Sequence, residues 1–270
     1  PPRPEAVAAV RPDLGPVLHK PLAMLLFFGI VLIAFWDAVP VLLTVLTVVG
    51  LSRLLGWRRE VTGCLLLCVA LGNTAFLGYP MVEATLGHQA LGYAVVYDQL
   101  GSFMLLSSFG LIVVAWYGGG TRPTLPTVIL KIITFPSMGA LIIGLLPWQR
   151  PALVDGLIVT LAGLLVPMAM FAVGFQLKLV PSRAFALPLV AGLGLKLLLL
   201  PAAALAIATL AGADDLITAV STLQSAMPAM ITAGALAIDA KLAPELAAGL
   251  VGYGILIAVL WLPLLAGWVA

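Results

Sequence analysis

The chain has 270 residues, 63% of them hydrophobic and 9% charged, with a formal net charge of +2. A soluble domain carries about 25% charged residues, so this chain has too few ionic groups to coat a water-facing surface, and a soluble globular enzyme is excluded. The charge is too small to suggest nucleic acid as a partner.

Apolar runs of about 20 residues, each long enough to cross a hydrocarbon core of roughly 30 Å, recur along the sequence. Stretches such as Met24 to Ala34 and Ile255 to Leu260 are apolar on all sides, where a β-barrel strand would alternate. The expected class is an all-α polytopic membrane protein. From breaker to breaker, nine spans are predicted: Pro21 to Trp36 (a), Ala38 to Trp57 (b), Val61 to Glu83 (c), Ala90 to Tyr117 (d), Thr127 to Leu146 (e), Leu153 to Phe175 (f), Ala184 to Ala211 (g), Leu216 to Ile238 (h) and Leu242 to Trp268 (i). Span a is short, and Asp37 with Pro40 is the sole reason to divide it from span b.

Nine alternating crossings place Arg3, Arg11, Lys20, Arg53, Arg58, Arg59, Arg122, Lys131, Lys178, Arg183 and Lys241 on the side of the N-terminus, and Arg150 with Asp37, Asp155, Asp214 and Asp215 on the other. Because basic residues collect on the cytoplasmic side, the N-terminus is expected in the cytoplasm and the C-terminus outside a cell (inner or plasma) membrane. The pentapeptide Pro21-Leu-Ala-Met-Leu25 of span a is matched by Pro167-Met-Ala-Met-Phe171 of span f. Taking these as equivalent pairs b with g, c with h and d with i, in opposite orientation, and leaves span e without a partner.

Spans c and h are the informative ones. Span c carries Asn73, Thr74, Gly78 and Pro80, and span h carries Gln224, Ser225 and Pro228, within otherwise apolar crossings. Proline removes a donor and glycine weakens a helix, so both spans should be interrupted. Asn73 and Pro228 each lie about 12 residues, or about 18 Å, into their spans, near the midplane and from opposite sides. Unwound backbone at that depth is tolerated in a polar cavity or buried in protein. The cavity reading makes Asn73, Thr74, Gln224 and Ser225 neutral ligands, with the restarting half-helices aiming N–H groups at an anion or carboxylate. The other reading is two proline kinks in packed helices without a ligand.

Asp98, in Tyr97-Asp98-Gln99 of span d, is an intramembrane acid. It reads as a proton acceptor or cation ligand, or as an acid paired with Arg or Lys beside a wet vestibule. Lys196 is the base within a span; it snorkels to the cytoplasmic face or serves as charge partner to a carboxylate or substrate. Glu83, His19 and His88 are expected at interfaces, and the tryptophans largely as an interfacial belt. Cys64 and Cys68 share a helix face without histidines to complete a zinc site, so they are expected to pack, without a metal or a disulfide.

The stretch Asn73-Thr-Ala-Phe-Leu-Gly-Tyr-Pro80 resembles the auxin efflux carrier family of membrane transporters, distantly related to bile-acid sodium symporters. Similarity continues through Lys196-Leu-Leu-Leu-Leu-Pro201 and Ser225-Ala-Met-Pro-Ala-Met-Ile-Thr-Ala-Gly-Ala-Leu-Ala237. The resemblance implies ten helices in two inverted five-helix repeats, so the family's first helix is expected to be missing here. It implies a cytoplasmic segment 1–20, scaffold helices over 21–37 and 127–183, and transport helices over 38–117 and 184–270, with broken helices over 61–83 and 216–238 that cross at the substrate. Asn73 and Pro80 match the first crossover and Pro228 the second. It further implies a secondary transporter of small organic anions, auxin-like or malate- or malonate-like, of elevator type and homodimeric, in contact with membrane lipid. No cofactor is expected beyond coupling to a proton or sodium, through Asp98 or the region of Gln224. The rival readings are a channel or non-transporting receptor, and an intramembrane enzyme, for which no catalytic residue set is present in the sequence.

Overall fold

In the computed structural model, the described residues are 22–119, 124–134, 139–140, 143–144, 151–164, 168, 171 and 183–269. The expected segment 1–20, Pro167 of the repeat match and the basic residues Arg122, Arg150 and Lys178 lie outside them. Helix α1 runs Leu22–Leu55, then α2 Arg59–Ala70, α3 Gly78–Leu86, α4 His88–Tyr117, α5 Leu125–Thr134, α6 Ala152–Gly163, α7 Ala186–Leu210, α8 Asp215–Ser225, α9 Ile231–Asp239 and α10 Pro244–Val269. Among the described residues, α4, α7 and α10 are each long and apolar enough to cross a membrane.

Helix α1 is continuous through Asp37 and Pro40, so the expected division of span a from span b is not a helix break. Proline is tolerated within membrane helices, and in the turn after this one Thr44 Oγ1 donates to the Pro40 carbonyl at 2.8 Å. The 34-residue helix is about 51 Å long, well beyond the hydrocarbon thickness.

The core forms around α2. Every residue from Val61 to Val69 is buried, as expected of a helix that is apolar on all sides, and it packs against α4, α9 and α10. Cys64 and Cys68 are free thiols within this apolar cluster, in the packing role expected of them. By contrast, α6 exposes Leu153, Leu157, Val159 and Leu161, an apolar surface suited to lipid.

Contacts at the helix ends order the charges. Arg59 Nη2 donates to the Trp116 carbonyl, and its guanidinium lies 5.7 Å from the Tyr117 ring centroid, an arrangement suited to a cation–π contact. A methyl group on neighbouring Gly118 would sit 3.2 Å from Ala240 Cβ, so Arg58, Arg59 and Lys241 share one end of the bundle. At the start of α4, beyond the turn at Gly87 (φ +86°), His88 Nδ1 lies 3.0 Å from Glu83 Oε1, with both side chains exposed as expected of interfacial residues.

Helices approach closely at Gly192 of α7, where a Cβ would lie 2.7 Å from Leu250 Cδ2 and 2.8 Å from Leu65 Cδ2. Gly192→Val should therefore overpack the α2–α7–α10 junction and cost about 1–3 kcal/mol, read as a lower midpoint of thermal unfolding in detergent.

Candidate functional site

Both expected interruptions exist, and they meet. Between α2 and α3 the chain is unwound from Leu71 to Leu77, and between α8 and α9 from Ala226 to Met230. Asn73 N–H donates to the Pro228 carbonyl at 2.8 Å and Met230 N–H to the Leu71 carbonyl at 2.8 Å, forming an antiparallel bridge that pairs Gly72 with Ala229. Each broken helix thus supplies partners for polar groups the other leaves without a helical bond, which buried backbone requires. Pro228 sits in the break, where its carbonyl is used and no N–H is needed. Pro80 does not break its helix: it is the third residue of α3, in a first turn whose N–H groups have no helical acceptor, and the interruption lies before it.

A small, partly open cleft lies beside this crossing. Its lining includes Gly72 and Thr74 of the first break, Gln224 and Ser225 at the end of α8, Ser102 of α4 and Lys196 of α7. Of the residues expected from the sequence, Thr74, Gln224, Ser225 and Lys196 therefore come together. Asn73, Pro80 and Pro228 do not line the cleft, although Asn73 is 1% exposed and its Nδ2 has no hydrogen-bond partner. Ala70, Gln224 and Ser225 bring C-terminal helix ends to the cleft, whereas the first turns of α3 and α9 are absent from its lining. The expected N-terminal dipoles are thus not what charges this cleft; its helix ends favour positive charge.

Lys196 supplies that charge. Its side chain is 4% exposed, so it does not snorkel. A methyl group built on Gly72 would lie 3.0 Å from Lys196 Nζ and 3.5 Å from the Met227 carbonyl, which places the ammonium at the crossing. Lys196 stands in a π-helical segment, Leu195–Leu199, and Trp261 Nε1 donates to the Leu197 carbonyl at 3.0 Å. Trp261 thereby ties α10 to the widened turn, a role beyond the interfacial one its position suggested.

Asp98 begins near a second π-helical segment, Tyr97–Ser102, and is 3% exposed. Its Oδ1 accepts from Thr74 Oγ1 at 2.5 Å; its Oδ2 accepts from Tyr79 OH at 2.8 Å and Gln99 Nε2 at 2.7 Å. Gln224 is fully buried, and its Nε2 donates to the carbonyls of Thr74 at 3.2 Å and Ala94 at 3.3 Å, joining α8 to the first break and to α4. Its Oε1 has no partner and faces Gly78, where any Cβ would collide with it.

Sequence reasoning missed Gly72, Tyr79, Gln99 and Ser102. Gln99 beside Asp98 was visible and Tyr79 is 19 positions away, but π-helical turns alter which side of a helix a residue faces and leave no plain sequence signal. Gly78→Ala should displace the Gln224 amide and loosen the crossing, giving a lower unfolding midpoint in detergent than Gly92→Ala, where a Cβ meets nothing within 4 Å.

The chain matches the family described as "Membrane transport protein" over residues 18–266. It is also 28% identical, over 217 residues, to an "Uncharacterized transporter" of Methanothermobacter thermautotrophicus, covering 79% of this chain and 70% of that protein. With apolar membrane-length helices and a match across nearly its full length, the chain belongs to the membrane transport protein family.

Proposed function

We propose that this chain is a secondary transporter of small organic anions, working by alternating access around the crossed breaks. The observation that carries the reading is the cleft itself. Among the described residues that line it, Lys196 bears the one full charge, positive and buried, among the neutral hydrogen-bonding groups of Thr74, Ser102, Gln224 and Ser225. A carboxylate beside Lys196 would meet a positive charge and, on approach to the crossing, would accept from the unpartnered Asn73 amide. A site that leaves a buried donor without an acceptor costs about 1–3 kcal/mol, which an anionic ligand would recover.

The likeness to the auxin efflux carriers supports a monocarboxylate or small dicarboxylate as cargo, carried by an elevator-type movement with a proton or sodium as the coupled ion. The clustering of Arg58, Arg59 and Lys241 at one end of the bundle supports a cytoplasmic placement of that end. A homodimer in the cell membrane is part of the same reading. Membership in a transporter family points away from an enzyme.

The test is counterflow in proteoliposomes with labelled mono- and dicarboxylates under imposed pH or sodium gradients. The parent should show saturable exchange of at least one acid. Lys196→Gln should raise the half-saturation concentration at least about tenfold, the equivalent of roughly 1.4 kcal/mol of lost charge-assisted bonding, and Asn73→Ala should also weaken uptake without loss of folded protein. Unaltered exchange by both variants would contradict the site.

A further inference from the structure

We propose that Asp98 is a positioning residue for the cleft, acting through Thr74, and not the ligand of a coupled ion that its place in the membrane suggests. The inference rests on the carrier reading above. Thr74 is the residue of the first break that both lines the cleft and is held from two sides. Its hydroxyl is spent on Asp98 Oδ1, and its carbonyl accepts from Gln224 Nε2. Asp98 also holds Tyr79, on the far side of the same break, and the adjacent Gln99. One carboxylate therefore grips the unwound segment itself at Thr74 and the helix that follows it at Tyr79, both from α4.

The two oxygens of Asp98 are turned to these three donors, and Asp98 is not among the cleft's lining residues. A cation ligand would instead direct oxygen into the cavity. Thr74 Oγ1 donates its hydrogen bond to Asp98, so towards a ligand it offers lone pairs; the carboxylate thereby fixes both the place and the hydrogen-bonding sense of a cleft group. Charge-assisted hydrogen bonds are about twice as strong as neutral ones, which suits a device that must hold unwound backbone in one shape.

The experiment is a double-mutant cycle on the full chain in proteoliposomes, with the acid the parent exchanges. Asp98→Asn and Thr74→Val should each raise the half-saturation concentration about tenfold, as loss of a bond to a charged group predicts, and the double variant should be no worse than either alone. The maximal rate and the dependence on the pH or sodium gradient should stay as in the parent. Hydrogen exchange over residues 71–77 should be faster in Asp98→Asn, and Asp98→Glu should recover part of the affinity. If Asp98→Asn does not fold, the cycle of Tyr79→Phe with Thr74→Val reads the same link, since both hydroxyls act through the one carboxylate.

Additive losses in a transporting protein would overturn the proposal, as would loss of gradient dependence in Asp98→Asn with half-saturation unmoved. A parent without saturable exchange would overturn the carrier reading and this inference with it.

Discussion

Two backbone hydrogen bonds hold the centre of this protein together. Asn73 donates to Pro228 and Met230 to Leu71, so two chains that have each left the helix close to the middle of a crossing complete one another. In hydrocarbon each orphaned amide or carbonyl costs several kcal/mol, and neither broken helix would persist in lipid without the other. The surrounding core follows from that requirement. Helix α2 is buried on all sides because it must bring its open end to the crossing, and α10 and α4 cover it.

The cleft is a consequence of the same geometry. Breaking a helix concentrates polar backbone at one depth, and two C-terminal helix ends there favour a cation. Lys196 provides one from within the chain, tethered to a widened turn of α7 and admitted by the missing side chain of Gly72. The ammonium then offers a fixed positive charge to the cavity. Gln224 and Asp98 pin the unwound segment from α8 and α4, so the cleft has walls of defined shape where irregular backbone alone would not.

Much of this was legible in the sequence. The two interruptions and their meeting could be inferred because Pro and Gly stand beside Asn and Gln at matching depths, and breaking rules are local. Four features were not. The fate of Pro40 was misjudged because the same residue that ends a helix in water is accommodated inside one in a membrane. Lys196 reads first as snorkelling and second as a charge partner, and its 4% exposure goes against the first, since the choice depends on what α7 packs against. The partnership of Asp98 with Thr74 and Tyr79 joins residues 24 and 19 positions away through a π-helical turn, a contact set by tertiary packing alone. The polarity of the helix ends at the cleft was also inverted in the sequence reading, because the cavity's position relative to each break is a three-dimensional fact.

The central claim is that the transported acid occupies the cleft beside the crossing. Ser102 lines that cleft and is 5% exposed, and Cys64 and Cys68 are buried elsewhere in the core. The direct measurement is the rate at which a small thiol reagent modifies a single cysteine at Ser102→Cys, in a chain whose two native cysteines are replaced by alanine. The account predicts that the acid exchanged by the protein slows modification in a saturable way, at concentrations matching those of transport, while an acid that is not exchanged has no effect. Equal modification rates with and without saturating transported acid would contradict it.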